Sequence, residues 1–178
     1  MNYIKSIIIA GSVSFFLGSC AQVNSNRENE KVSIDSTSQT DKTVLKDDKV
    51  NDIYSNYLIL KNALVQSNSA DAIKAGNALE TSLKNIEGCQ STAEIAAHLA
   101  ASNDIKVQRE DFTRISSDII AYMKNADVAS GTMYVQYCPM ANKGEGGYWL
   151  ASEKKIQNPY YGDEMMECGE VKEEITKK

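Results

Sequence analysis

The spacing of apolar residues changes once along this chain, near Asn125, and that change limits the fold more than any other feature. Before it, Val50, Ile53, Tyr54, Tyr57, Leu58, Leu64 and Val65 recur at intervals of three and four, with the stem of Lys61 on the same stripe. Such spacing lines one face of a helix and predicts one over roughly 47–66. Ser67-Asn68-Ser69 breaks the pattern, and Ser69 is placed to cap a second helix. Ala72, Ile73, Leu79, Leu83 and Ile86 mark its buried face, and Gly88 offers a stop. Gly76 in its middle costs about 1 kcal/mol relative to alanine, which a close helix crossing explains. Ser91-Thr92-Ala93-Glu94 has the form of a capping box and opens a third helix to about Ala101. Beyond Ser102-Asn103-Asp104, the residues Ile105, Gln108, Phe112, Ile115, Ile119 and Tyr122 or Met123 define a fourth.

After Asn125 the pattern becomes strand-like. Thr132 to Cys138 is rich in aromatic and β-branched residues, and Pro139 ends the run. Lys143-Gly144-Glu145-Gly146-Gly147 is a turn, and Tyr148-Trp149-Leu150 is the returning strand of a short hairpin. Asn158 to Asp163 is a second turn-rich loop, and Glu164 to Cys168 forms one helical turn stopped by Gly169. The expected fold is mainly α: a four-helix bundle-like domain with an irregular C-terminal segment containing a short β-hairpin. It occupies 49–172, with a charged, frayed tail at 173–178.

The N-terminal end points to export. Lys5 precedes an apolar run from Ile7 to Leu17, which is too short to span a bilayer at roughly 20 residues. A charged start, a short apolar centre and small residues at its end describe a signal peptide over 1–19. Leu17-Gly18-Ser19-Cys20 resembles the bacterial lipobox, which makes Cys20 the lipid-attachment site and new N-terminus. Each acyl chain contributes on the order of 0.8 kcal/mol per buried methylene, and more than one chain anchors firmly. Residues 20–48 are mostly polar and read as a lipidated, disordered tether. Ala21 follows Cys20 where an inner-membrane retention signal would place Asp, so the expected location is the outer membrane, facing the periplasm.

Without residues 1–19 the chain keeps 18 basic and 24 acidic residues, with no basic stripe or run. That balance excludes nucleic acid as a partner. The chain also lacks a Gly-rich phosphate loop, a nucleophile elbow and a His-rich metal motif, so no enzyme is expected.

Sulfur is the chemistry this sequence does carry. Besides Cys20 it has Cys89, Cys138 and Cys168. In Cys138-Pro139-Met140, proline favours an extended backbone, in which residues two apart point to one side. In Met165-Met166-Glu167-Cys168, one helical turn sets Met165 and Cys168 on one face. If the segments meet, four sulfurs converge, and thiolate with thioether selects Cu(I) over hard cations. Spacing alone weighs a Cys138–Cys168 disulfide equally, because an exported compartment is oxidising. Cys89, at a helix end, reads as a structural thiol. His98, beside Ile95 and Leu99, reads first as a half-buried histidine edging the core and second as a ligand. Tyr148, Trp149, Tyr160 and Tyr161 read as packing for the C-terminal segment, with Trp149 the one candidate to shield a Cu(I) site from water.

Tyr134-Val135-Gln136-Tyr137-Cys138-Pro139-Met140-Ala141, Gly147-Tyr148-Trp149-Leu150, Ile156 to Met165 and Cys168-Gly169 together resemble the DUF3347 family. Ile105, Gln108-Arg109, Phe112 and Ser116 match its helical part, and His98 stands where that family usually has a histidine. The resemblance runs over roughly 50–172. Such domains occur in lipoproteins and at the ends of periplasmic adaptor subunits of heavy-metal efflux systems. The resemblance therefore implies copper or silver binding, with Cys138, Met140, Met165, Cys168 and His98 as candidate ligands. It also implies an efflux adaptor or a metallochaperone as partner. The alternative is a structural or adaptor module without metal, closed by a Cys138–Cys168 disulfide.

Overall fold

In the computed structural model, residues 42–177 are described; the expected signal peptide, Cys20 and most of the expected tether lie outside them. Four helices follow one another: α1 (Asp48–Val65), α2 (Ser69–Lys84), α3 (Gln90–Ala101) and α4 (Ile105–Met123). Short side chains start three of them. Asp47 accepts from the Lys49 and Val50 amides, Asn68 from Asp71, and Asp104 from Lys106. These bonds satisfy donors that a helix leaves free at its start.

Two expected helix signals resolve differently. Asn68, not Ser69, caps α2; Ser69 is its first residue and donates instead to the Asn103 carbonyl at 2.8 Å. The capping box at Ser91–Glu94 does not form, because α3 already begins at Gln90. Gln90 ties the connection itself, accepting from the Gly88 amide and donating to the Ile86 carbonyl. Thr92 turns away to Asp118 of α4 at 2.8 Å. Gly88, at φ +86°, lies in this connection rather than at the end of α2, whose cap is Asn85. Gly76 stands where expected: an added Cβ would lie 3.1 Å from both Ala100 and Leu99 of α3.

The strands form two small antiparallel sheets. β1 (Val44–Leu45) pairs with β2 (Val128–Ser130). β3 (Thr132–Cys138) is the centre of a three-stranded sheet, with β4 (Gly147–Ala151) on one side and β5 (Glu170–Thr176) on the other. The β3–β4 hairpin is the expected one. β1 lies within the stretch read as tether: Leu45 is buried, and Thr43 Oγ1 donates to the Thr132 carbonyl at 2.7 Å. β5 lies where a frayed tail was expected. Its Glu170-Val171-Lys172-Glu173-Glu174-Ile175 run buries only Ile175, so backbone pairing to β3 defines it rather than an apolar pattern.

The sheet packs on the bundle through Tyr57, whose hydroxyl bonds Ser116 of α4 and accepts from the Leu150 amide of β4. The Tyr57 ring stacks on Phe112 at 5.4 Å, and Phe112 meets Tyr160 at 5.7 Å. Trp149, Leu150, Tyr160 and the four helices thus share one core. Among the described residues no helix is long and apolar enough to cross a membrane.

Candidate functional site

Two irregular loops meet at the end of β3. The first begins at Cys138, the last residue of the central strand, which is fully buried opposite Gly147 of β4. Pro139 has no amide to extend the ladder, and Ala141 to Gly146 form a tight turn closed by the Gly146 amide on the Ala141 carbonyl. Asn142 fixes the turn to the bundle: its Nδ2 donates to the Gly146 carbonyl and its Oδ1 accepts from Thr113 of α4. At Gly147 an added Cβ would lie 2.6 Å from the Tyr160 ring and 2.9 Å from Ala141, so only glycine lets these groups pack against the strand opposite Cys138.

The second loop, 152–169, is organised by Asn158. This residue is fully buried and uses every polar group it has. Its amide donates to the Met166 carbonyl, its Nδ2 to the Cys168 carbonyl at 2.8 Å, its Oδ1 accepts from Tyr160 and its carbonyl from Gly162. Arg109 of α4 anchors the same loop by donating to the Pro159 carbonyl, the Leu64 carbonyl and Ser67. The expected helical turn over 164–168 is absent. A 3-10 turn occupies Gly162–Glu164, Met165 adopts φ −149°, and a single bond from the Cys168 amide to the Met165 carbonyl closes the next turn. The reasoning that put Met165 and Cys168 on one helical face therefore does not hold.

Pairing of Tyr137 with Glu170 then sets Cys168-Gly169 beside Cys138. Gly169 has φ +149°, and an added Cβ would lie 2.9 Å from Trp149 and 3.0 Å from the Tyr137 carbonyl. The two sulfurs, Cys138 Sγ and Cys168 Sγ, are 2.7 Å apart. The Cys138 sulfur raises the Cys168 thiol above its ordinary pKa, burial adds to the shift, and a hydrogen bond from the Met140 backbone opposes it. Met140 thus touches Cys168 through its main chain. Its side chain is 53 % exposed, and its carbonyl accepts from the Tyr161 hydroxyl at 2.5 Å. Met165 and Met166 are half-buried in the second loop.

His98 does not join this group. It is exposed on α3, with Nδ1 2.6 Å from Asp111 Oδ2. Asp111 is two residues from both Arg109 and Thr113, which hold the C-terminal loops. At 3.6 residues per turn it faces the opposite side of α4. Cys89 is also apart, at the start of α3, where burial and then Asp118 raise its thiol pKa. Among the described residues no three His, Cys, Asp or Glu side chains gather as a metal-binding group.

Of the expected aromatics, Trp149 and Tyr160 pack the loops onto the bundle, 6.1 Å between ring centroids, whereas Tyr148 is 45 % exposed and lies against Tyr137. Sequence reasoning missed Asn158 as the organiser of the site. The Asn-Pro pair marked only a turn; nothing local announces that a side-chain amide will bind the carbonyl of a cysteine ten residues later.

Residues 53–131 match the family described as a protein of unknown function, DUF3347. The match covers the helices from within α1 to the start of the sheet and stops before Cys138, so it is shorter than the stretch over which resemblance was expected. No curated protein and no solved structure matches the chain.

Proposed function

Since the chain belongs, over residues 53–131, to the DUF3347 family, we propose that it is a lipid-anchored envelope protein that binds a soft monovalent metal ion, Cu(I) or Ag(I), at the Cys138–Cys168 pair. The observation that carries this reading is the approach of the two sulfurs to 2.7 Å from separate loops. Two thiols suit a soft ion of low coordination number. They fall short of the four ligands of a structural zinc site. The ion is cargo, held for sequestration or for hand-off to an efflux adaptor or metallochaperone. A near-linear, two-coordinate ion with bonds of about 2.3 Å would set the sulfurs about 4.6 Å apart, so they must part, and Cys168, the less buried of the two, is the one that turns. Met140, exposed two residues after Cys138, is the thioether best placed to assist, and Met165 is the second. His98 has no part in the proposed set. Trp149, fully buried against Gly169, keeps water from one side of the pair.

Anchoring is proposed on the strength of the Leu17-Gly18-Ser19-Cys20 motif, with the periplasmic side of the outer membrane as the location. Equal fatty-acid labelling of wild type and Cys20→Ser would remove that part of the reading.

The test of metal binding is a Cu(I) titration of the reduced full chain against a competing chelator. One equivalent should bind. Cys138→Ser and Cys168→Ser should each lose at least a hundredfold in affinity, Met140→Leu less, and His98→Ala nothing. A reduced protein that leaves Cu(I) with a weak chelator would favour the second reading, a metal-free adaptor module locked by a Cys138–Cys168 disulfide. The same sulfur approach and an oxidising compartment support that alternative.

A further inference from the structure

The two sulfurs differ in access although they touch. Cys138 is fully buried in the ladder opposite Gly147, whereas Cys168 sits at a loop end and is only half-buried. Their backbones are held independently: Cys138 by the β3 ladder, and Cys168 by Asn158 Nδ2 on its carbonyl and by Gly169. With the sulfurs 2.7 Å apart and a disulfide bond of about 2.05 Å, bridging needs them to close by only about 0.7 Å.

We propose that this pair is a thiol–disulfide exchange site in which Cys168 is the attacking sulfur and Cys138 the resolving one, so that a disulfide oxidant closes the pair and expels the bound metal ion. The last clause rests on the metal reading above; the first does not. The Cys168 thiolate attacks one sulfur of the oxidant's disulfide. A bond forms to Cys168 Sγ, and the oxidant's S–S bond breaks with its electron pair on the departing thiolate, which takes up the proton that Cys168 gave to solvent. Cys138, deprotonated in turn, attacks Cys168 Sγ. The Sγ–Sγ bond forms, the mixed disulfide breaks, and the second oxidant thiolate leaves and is protonated. Two cysteine thiols have lost two electrons and two protons, and one oxidant disulfide has become two thiols. A metal ion released in this way keeps its oxidation state, because the electrons come from sulfur.

The order of attack follows from access. An oxidant of glutathione size cannot reach a fully buried sulfur, and exchange rates depend on which sulfur is approached. The resolving step is intramolecular between atoms already in contact, so a mixed disulfide should not accumulate in wild type.

The test uses the full-length protein in detergent, metal-free, with oxidised glutathione and peptide mapping by mass spectrometry, which keeps Cys89 separate. Wild type should go to the Cys138–Cys168 disulfide without a lasting adduct. Cys138→Ser should hold glutathione on Cys168. Cys168→Ser should take glutathione on Cys138 at least tenfold more slowly. Rates in urea, where both sulfurs are open, and the near-ultraviolet circular dichroism of Trp149 show whether each variant is folded. Equal rates at the two sulfurs in folded variants, or a mixed disulfide that accumulates in wild type, overturn the assignment of roles. One equivalent of Ag(I) should slow closure of wild type at least tenfold. Protein that retains Ag(I) yet closes at the metal-free rate overturns the expulsion step, and protein that never retains Ag(I) fails the metal reading while leaving the exchange roles standing on the metal-free result.

Discussion

The helical bundle and the loops that carry the sulfurs are built from different bonds. In the bundle, apolar stripes of α1 to α4 meet in a common core, and polar bonds sit at the caps or tie single pairs between helices, as Thr92 with Asp118 and Tyr57 with Ser116. The loops over 139–146 and 152–169 are held by polar side chains on main-chain atoms: half-buried Asn142 on Gly146, buried Gln136 of β3 on the Glu153 carbonyl, and buried Asn158 on Cys168. Lys61 belongs to both regions, since it leaves the stripe of α1 fully buried and meets Glu153 of the second loop at 2.5 Å. A core of apolar residues resists deformation everywhere at once. A loop held by a few directed bonds can be exact in position yet be released by one change, which suits a pair of sulfurs that must close and open.

The largest effect should come from the bundle. Phe112→Ala removes a ring that touches both Tyr57 and Tyr160 and should cost about 3–5 kcal/mol, read as a lower urea midpoint with all probes moving together. Loss of the loop signal first, with the helices intact, would show that the two regions do not share a core.

Next, Lys61 and Glu153 should behave unequally. Glu153→Ala leaves a buried ammonium alone and should cost about 3 kcal/mol, whereas Lys61→Met leaves a carboxylate that water and Ser152 can reach and should stay within about 1 kcal/mol of wild type. Equal losses in thermal melts would mean that the pair acts by packing rather than charge.

Asn158→Ala sharpens the contrast further. It strands the Cys168 carbonyl and the Tyr160 amide, at about 1–3 kcal/mol for an unmet buried group. Amide exchange should rise over 158–169 and stay slow in α1 and α4. Uniform acceleration across the chain would erase the distinction between the regions.

This difference also decides what could be read from the sequence. The helices were legible because a period of three and four is a local signal, and Gly76 even foretold the close approach of α3. Helix ends were read less well, since Asn68 and Gln90 took roles that neighbours of similar chemistry could have filled. The hairpin was visible in its β-branched run and glycine turn. β1 and β5 were not, because a two-residue strand and a charged edge strand are specified by their partners. At the site, the two cysteines could be named from their chemistry, but their contact depends on Asn158 and on the register between β3 and β5, both long-range. His98 illustrates the opposite failure: the sequence suggested a half-buried histidine edging the core or else a ligand, and the structure leaves it exposed on α3, paired with Asp111 and away from the sulfurs.

The smallest effect concerns the boundary between tether and fold. A chain beginning at Lys42 should melt with the mature protein, while one beginning at Asp47 loses the buried Leu45 and the Thr43 bond and should be weaker by about 2 kcal/mol. Identical melts would return β1 to the tether.

The most direct measurement is X-ray absorption at the copper edge on the reduced full chain loaded with one equivalent of Cu(I). Binding at the Cys138–Cys168 pair should give a shell of sulfur only, near 2.3 Å by analogy with zinc–thiolate bonds, and Cys168→Ser should abolish it. A shell dominated by nitrogen or oxygen, or a sulfur shell that survives loss of Cys168, would contradict a metal site built on these two sulfurs.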